Sequence, residues 1–240
     1  PLGGGLCRGV VDSPLSRFAE SIRAVKSGAD LSRVAKSNKV MGITSSLPNE
    51  GKSTIASALA QLSAFSGARV VLVDCDLRQP SLTKELAPAA TAGLIEILTG
   101  SANLEDVIWT DPSTKLAFLP VVAKSRLSHT SDILASDALK RLFDELREKY
   151  DYVIVDLSPL APVVDVRSTA NLVDCYVLVI EWGKTKIDVV EHALSSARGV
   201  YDNLLGVVLN KVDLKGLSRY ESHGSDYYYN RYYAQYGYTD

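Results

Sequence analysis

The chain is 240 residues long, 46% hydrophobic, and carries a formal net charge of −2. That length suffices for a sizeable core in one domain or two small ones, and a charge so near neutrality argues against a nucleic-acid partner. No stretch approaches the roughly 18 uninterrupted apolar residues of a membrane helix, and the first residues lack a signal-peptide pattern, so the chain reads as soluble.

The one methionine is Met41, so Pro1 is not a native translation start. Residues 1–14, with PLGGG at their head, read as a linker or cloning remnant, and the chain as a piece of a longer protein. Residues 1–40 hold Arg8, Arg17, Arg23, Lys26, Arg33, Lys36 and Lys39 against Asp12, Glu20 and Asp30. A basic arm of this kind suits an anionic membrane surface or an acidic partner, and ordinary solvated helix charges account for it equally well. Leu15, Phe18, Ile22 and Val25 fall on one stripe and predict a helix docked on the core. Glu20, Arg23 and Lys26, spaced by three on another face, either pair along the helix or reach a neighbouring subunit, and surface physics favours local pairing.

From residue 39 strand and helix patterns alternate. The spacing predicts a strand at 39–45, a helix at 52–66 closed by Gly67, and a strand at 69–74. A helix near 92–99, a strand near 116–122, a helix at 132–149 and a strand at 151–156 follow. A strand at 175–181, a helix at 186–200 and a strand at 204–209 complete the series. Such alternation predicts an α/β fold in which a predominantly parallel sheet is flanked by helices on both faces, with the domain running over 15–218. The runs VVLVD, YVIVD and YVLVI are apolar enough to be covered on both sides.

Residues 219–240 have no apolar periodicity and read as a flexible tail. They contain Tyr220, Tyr227, Tyr228, Tyr229, Tyr232, Tyr233, Tyr236 and Tyr238, eight of the chain's twelve tyrosines. Aromatic low-complexity tails can simply be adhesive, but beside a nucleotide site eight phenols suggest a substrate. Cys7, Cys75 and Cys175 are odd in number and far apart, which fits neither a disulfide framework nor a zinc site and points to a reducing compartment. His129, His192 and His223 show no ligand spacing and read as structural.

The chemistry is concentrated between the first strand and its helix, where Ser46-Leu47-Pro48-Asn49-Glu50-Gly51-Lys52-Ser53-Thr54 follows the layout of a P-loop. Backbone N–H groups there close around phosphates, a lysine reaches the β and γ oxygens, a hydroxyl ligates Mg²⁺, and the helix N-terminus adds its dipole. Ser46 stands where the G-x-x-x-x-G-K-[ST] template has its leading glycine. Carboxylates to hold the ion belong at the carboxyl ends of neighbouring parallel strands, where Asp74, Asp76 and Asp156 lie. Asn210-Lys211-Val212-Asp213 matches the guanine-reading N-K-x-D of GTPases. Asp156, however, is followed by Leu157, Ser158 and Pro159 rather than by the x-x-G of a switch strand, and Asn210 is a base-contact candidate for either purine.

Together these motifs resemble the cytoplasmic kinase domain of the bacterial tyrosine kinases that work with capsule and exopolysaccharide export machinery. The resemblance rests on SSLPNEGKST, VVLVDCDLRQPS, YVIVDLSP, the helix motif of Glu20, Arg23 and Lys26, and the tyrosine cluster. It implies ATP and Mg²⁺ as cofactors, with Lys52 on the phosphates, Ser53, Asp76 and Asp156 around the ion, and Asp74 as acceptor of the tyrosine proton. The division between Asp74 and Asp76 stays open, and Arg78 steadies phosphate charge or the acidic loop. It also implies a ring-like homo-oligomer assembled through Glu20, Arg23 and Lys26, with one subunit's tail entering its neighbour's site. Its partners are then a membrane-spanning co-polymerase segment, fused upstream, and the polysaccharide export machinery, at the cytoplasmic face of the bacterial inner membrane. Lys26 stands in place of the commoner arginine, and Leu157-Ser158 in place of Thr-Pro. Leu47 replaces the second lysine of the related partition and septum-site ATPases. The competing readings are an ATPase or GTPase switch that uses the tail for docking, and a nucleotide-binding scaffold.

Overall fold

Every residue of β1 (Val40–Ser45), β2 (Val70–Asp74) and β5 (Tyr152–Asp156) is buried, as strands covered on both faces must be. The computed structural model that shows this describes residues 8–36, 39–122, 127–213 and 216. Cys7, His223 and residues 219–240 with their eight tyrosines lie outside the described residues.

The first elements are a helical turn, α1 (Gly9–Asp12), and α2 (Arg17–Lys36). After β1 come α3 (Lys52–Phe65), β2, α4 (Ser81–Leu86), α5 (Leu94–Leu98), α6 (Leu104–Val107), β3 (Trp109–Thr110) and β4 (Ala117–Leu119). The chain continues through α7 (Thr130–Leu134), α8 (Asp137–Lys149), β5, a 3₁₀ turn at Asp165–Thr169, β6 (Cys175–Glu181), α9 (Ile187–Ser195), α10 (Arg198–Tyr201) and β7 (Leu204–Asn210). The seven strands lie in the order β3-β4-β2-β5-β1-β6-β7, all parallel except the β3–β4 edge pair. This is the α/β architecture that the alternation predicts.

Side chains alternate across the sheet with the strand period of two, so Val70 and Leu72 join one core with α3 while Val71 and Val73 join the other with α8. Helix α3 packs between β1 and α2, and Ala56, Ala58 and Ala60, spread around it, are all fully buried. On the opposite side Gly42 is required for contact: a Cβ there would lie 2.7 Å from a Leu157 methyl and 3.0 Å from the Tyr176 ring. The start of β1 is pinned by Asp174, which accepts from the N–H groups of Lys39 and Val40 and from Arg147 of α8.

Several sequence expectations shift. The helix expected over 132–149 is two, because the Ser136 hydroxyl accepts the Leu139 N–H and starts a new helix. Leu139, Leu142, Phe143 and Leu146 then bury one face, each contributing about 2 kcal/mol. The helix expected over 186–200 likewise stops at Ser195 and resumes at Arg198. The strand expected near 116–122 shortens to three residues and gains the antiparallel neighbour β3. The reading of residues 1–14 as linker is corrected for 9–12, since Val10 is fully buried and α1 packs on α3. Gly67 does close α3, at φ +92 with its N–H on Ala64 O.

In α2 the anchors are Ala19, Ile22 and Ala29, whereas Leu15 precedes the helix and is 55% exposed. Arg23 pairs with Glu20 at 3.0 Å, and Lys26 pairs with Asp30 at 2.7 Å while lying over the Tyr152 ring. Within one chain these residues therefore make the local contacts that surface physics favours. No helix among the described residues is long and apolar enough to cross a membrane.

Candidate active site

The parallel register sets Asp74 opposite Asp156, and Asp156 opposite Ile43 of β1. Topology thus delivers two carboxylates to the mouth of the loop that joins β1 to α3. The third comes from Asp76, two residues past β2, whose Oδ1 accepts from Gln79 N and the Ser158 hydroxyl at 3.1 Å each.

Into this cluster α3 delivers its first residue. Lys52 Nζ lies 2.9 Å from Asp76 Oδ2 and 3.2 and 3.3 Å from the two Asp156 oxygens. Ser53 Oγ donates to Asp156 Oδ2 at 2.6 Å and sits 2.9 Å from Ser81 Oγ. Burial pulls the Lys52 ammonium toward its neutral form, but Asp156 and Asp76 outweigh it and raise its pKa. Burial raises Asp156 above the ordinary carboxylate value, against the lowering by Lys52 and Ser53.

Asp74 is held differently. Its Oδ1 accepts Asp76 N at 3.2 Å, and its Oδ2 accepts the N–H and hydroxyl of Thr83 at 2.9 and 2.8 Å. Burial first, then Asp156, push it up to about 7, although Thr83 and Lys52 act in the opposite sense. It is fully buried and lies behind the wall of the adjoining cavity, which Asp76 reaches.

That cavity measures about 480 Å³ and is walled by Asn49, Lys52, Ser53, Asp76, Arg78 and Lys211 among others. The loop bordering it has two left-handed residues, Asn49 at φ 67 and Gly51 at φ 100. Asn tolerates that region better than most side chains. Ser46 is not among the positive-φ residues, which explains how the loop turns without a leading glycine. Its hydroxyl is buried without a hydrogen-bond partner. Pro48 and Thr54 also line the cavity, whereas Glu50 is 1% exposed and turns inward.

Asn210, expected at a nucleotide base, donates its Nδ2 to Glu50 O at 2.8 Å and does not reach the cavity wall. Arg78 does reach it, with its Nε and Nη2 donating to the fully buried Asp165 at 2.8 and 3.0 Å. Sequence reading missed Asp165, Thr83, Ser81 and Ser158. Of these only Asp165 carried a signal, as the carboxylate that directly follows the uncharged run Pro159–Val164.

One hydroxyl and two carboxylates form a hard-oxygen set that suits Mg²⁺, an ion that typically takes one or two carboxylates and completes its shell with phosphate and water. Lys52 already places a cation between those carboxylates. Fold and site together define an α/β protein of P-loop NTPase-like architecture.

The family model described as an AAA domain matches residues 39–203. The succinoglycan biosynthesis transport protein ExoP of Rhizobium meliloti is 43% identical over 229 residues, which cover 95% of this chain and 29% of that protein. The tyrosine-protein kinase YwqD of Bacillus subtilis is 30% identical over 213 residues, covering 88% of this chain and 89% of the relative. Among solved structures, the kinase domain of the Escherichia coli tyrosine kinase ETK superposes with a TM-score of 0.78 at 26% identity, covering 85% of this chain and 80% of that one. The chain belongs to the bacterial tyrosine kinase family.

Proposed function

We propose that this chain is the catalytic domain of an ATP- and Mg²⁺-dependent protein-tyrosine autokinase that phosphorylates the tyrosines of residues 219–240, largely between subunits. The observation that carries this is Lys52 clustered with Asp76, Asp156 and Ser53 beside a 480 Å³ cavity, in a chain that brings its own eight tail tyrosines. Lys52 binds and orients the phosphates, and Ser53, Asp76 and Asp156 hold the ion. When bound, Mg²⁺ neutralises phosphate charge that develops in transfer.

The phenol oxygen attacks the γ-phosphorus, its bond to the β-phosphate oxygen breaks, ADP leaves, and the phenol proton passes to a carboxylate. A phenol ionises near 10 in model peptides, so it needs that help near neutrality. Asp74, at about 7, is matched to the task. Thr83 and Asp76 N–H hold its oxygens behind the cavity wall in the resting site, so acceptance requires that wall to open as the phenol enters.

Each phosphate adds about −1.5 to −2 charges. Repulsion among phosphorylated tails dissociates a ring assembled through Glu20, Arg23 and Lys26, and assembly state regulates exopolysaccharide polymerisation and export at the inner membrane. The likeness to ExoP supports the upstream fusion of a co-polymerase segment, since this chain spans 29% of that relative.

The test is phosphosite mapping of the purified chain incubated with Mg²⁺ and ATP or, separately, GTP. Phosphotyrosine within 219–240 is expected with ATP and is lost in Lys52→Met. Undiminished labelling of that variant refutes the assignment. Nucleotide hydrolysis that persists unchanged after deletion of 219–240, without any phosphotyrosine in the full chain, supports a switch instead.

A further inference from the structure

The Glu50 carboxylate has no part in the chemistry above, yet it is 1% exposed. Among the described residues no cation pairs with it. A desolvated carboxylate costs several kcal/mol unless donors surround it, and here three do. Oε2 accepts Leu47 N at 2.6 Å, inside the phosphate loop itself. Oε1 accepts Glu181 N at 3.2 Å, at the end of β6, and the Thr185 hydroxyl, just before α9. One side chain therefore joins the start of the loop to the segment 181–185.

Its backbone is fastened as well. Asn210 Nδ2 donates to Glu50 O, and Lys211 Nζ donates to Asn49 O at 2.5 Å while lying 3.1 Å from Glu181. Residues 49 and 50 are thus fixed from the ends of β6 and β7, and Leu47 is fixed to them through the Glu50 carboxylate. Asn49 holds a left-handed dihedral at φ 67, which for a residue with a Cβ is sparsely populated and persists where surrounding contacts over-determine it.

We propose that Glu50 is a positioning residue: its carboxylate locks the phosphate loop to segment 181–185, and nucleotide affinity depends on that lock. The inference rests on the reading of this loop as the nucleotide site. Thr185 is the handle that tests it, because it precedes α9, does not line the 480 Å³ cavity, and can lose its hydroxyl at nearly constant volume.

The experiment is calorimetric titration of the full chain with Mg²⁺ and ADP, with thermal unfolding and autophosphorylation kinetics in parallel. Thr185→Val is expected to bind ADP about tenfold more weakly and to raise the KM for ATP similarly, with kcat little changed and the melting temperature lowered by a few degrees at most. Thr185→Ser restores affinity, and Glu50→Gln, which keeps the volume but loses an acceptor, weakens binding at least as much as Thr185→Val. Wild-type affinity in Thr185→Val overturns the proposal, as does equal weakness in Thr185→Val and Thr185→Ser. Absence of ADP binding by the wild-type chain overturns the nucleotide-site reading itself, and the lock with it.

Discussion

Lys52 Nζ lies 2.9 Å from Asp76 Oδ2, so the lysine that is to hold phosphate also neutralises the acidic cluster before nucleotide arrives. Both side chains are nearly buried, at 9% and 5% exposure. Under the proposed function, binding the ion and phosphate amounts to an exchange, in which Lys52 leaves the carboxylates for phosphate and the ion takes its place.

Lys52→Met should therefore cost stability as well as activity. Removing one partner of a buried ion pair typically costs about 3–5 kcal/mol, because the remaining charge is uncompensated. Without the ammonium, the folded-state pKa values of Asp74 and Asp156 rise further above their unfolded values, so the folded state binds more protons and loses stability as pH rises. Urea unfolding is expected to show a deficit at pH 8 that narrows at pH 5. An equal deficit at both would count against the exchange.

Asp74→Asn isolates one titration. The folded carboxyl is at about 7, against an ordinary value of 3.8. A raised folded pKa means that its contribution is fully present below the unfolded value and is lost as pH climbs from there toward 7. Wild-type stability should fall over that window more steeply than that of Asp74→Asn, and the two curves should run parallel above it. Phosphotyrosine formation should drop by at least a hundredfold if Asp74 accepts the phenol proton.

Arg78 and Asp165 fasten the loop after β2 to the turn after β5. Arg78 is 42% exposed on its side chain while Asp165 is fully buried, so solvent screening moderates the pair. Arg78→Ala is expected to destabilise by about 1–2 kcal/mol. Asp165→Asn added to that variant should recover part of the loss by removing the lone buried charge. Strict additivity in thermal or urea unfolding would argue that the pair is energetically idle.

What was legible in the chain follows from how local each signal is. Gly51-Lys52-Ser53 after an apolar strand is local chemistry, and VVLVD and YVIVD place carboxylates at strand ends by their own burial pattern. The Arg78–Asp165 pair joins residues 87 apart in sequence, and Thr83 meets Asp74 only because α4 folds back over β2. Neither contact leaves a pattern in sequence. Ser136 interrupts the long helix by capping, which competes with a periodicity that runs through it. Strand β3, two residues long, is too short for alternation to reveal. Motif spacing makes Asn210 a base-contact candidate because spacing alone does not tell which way an amide turns, and in the fold it turns to Glu50 O.

That amide makes a sharp prediction for Gly51. Its φ of +100 is accessible to glycine and strained for alanine, and a Cβ built there would lie 2.1 Å from Asn210 Nδ2. Gly51→Ala thus carries a backbone cost and a collision, and the collision falls on the same amide that fixes Glu50 O. The single variant should bind ADP with Mg²⁺ at least tenfold more weakly than wild type, corresponding to about 1.4 kcal/mol or more. Asn210→Ala removes the collision but also a loop-fixing bond, so alone it weakens binding modestly. Combined with Gly51→Ala it should recover part of the affinity, giving a favourable coupling that titration of all four proteins measures. A double variant weaker than the sum of the singles would show that the amide's bond to Glu50 O outweighs relief of the clash.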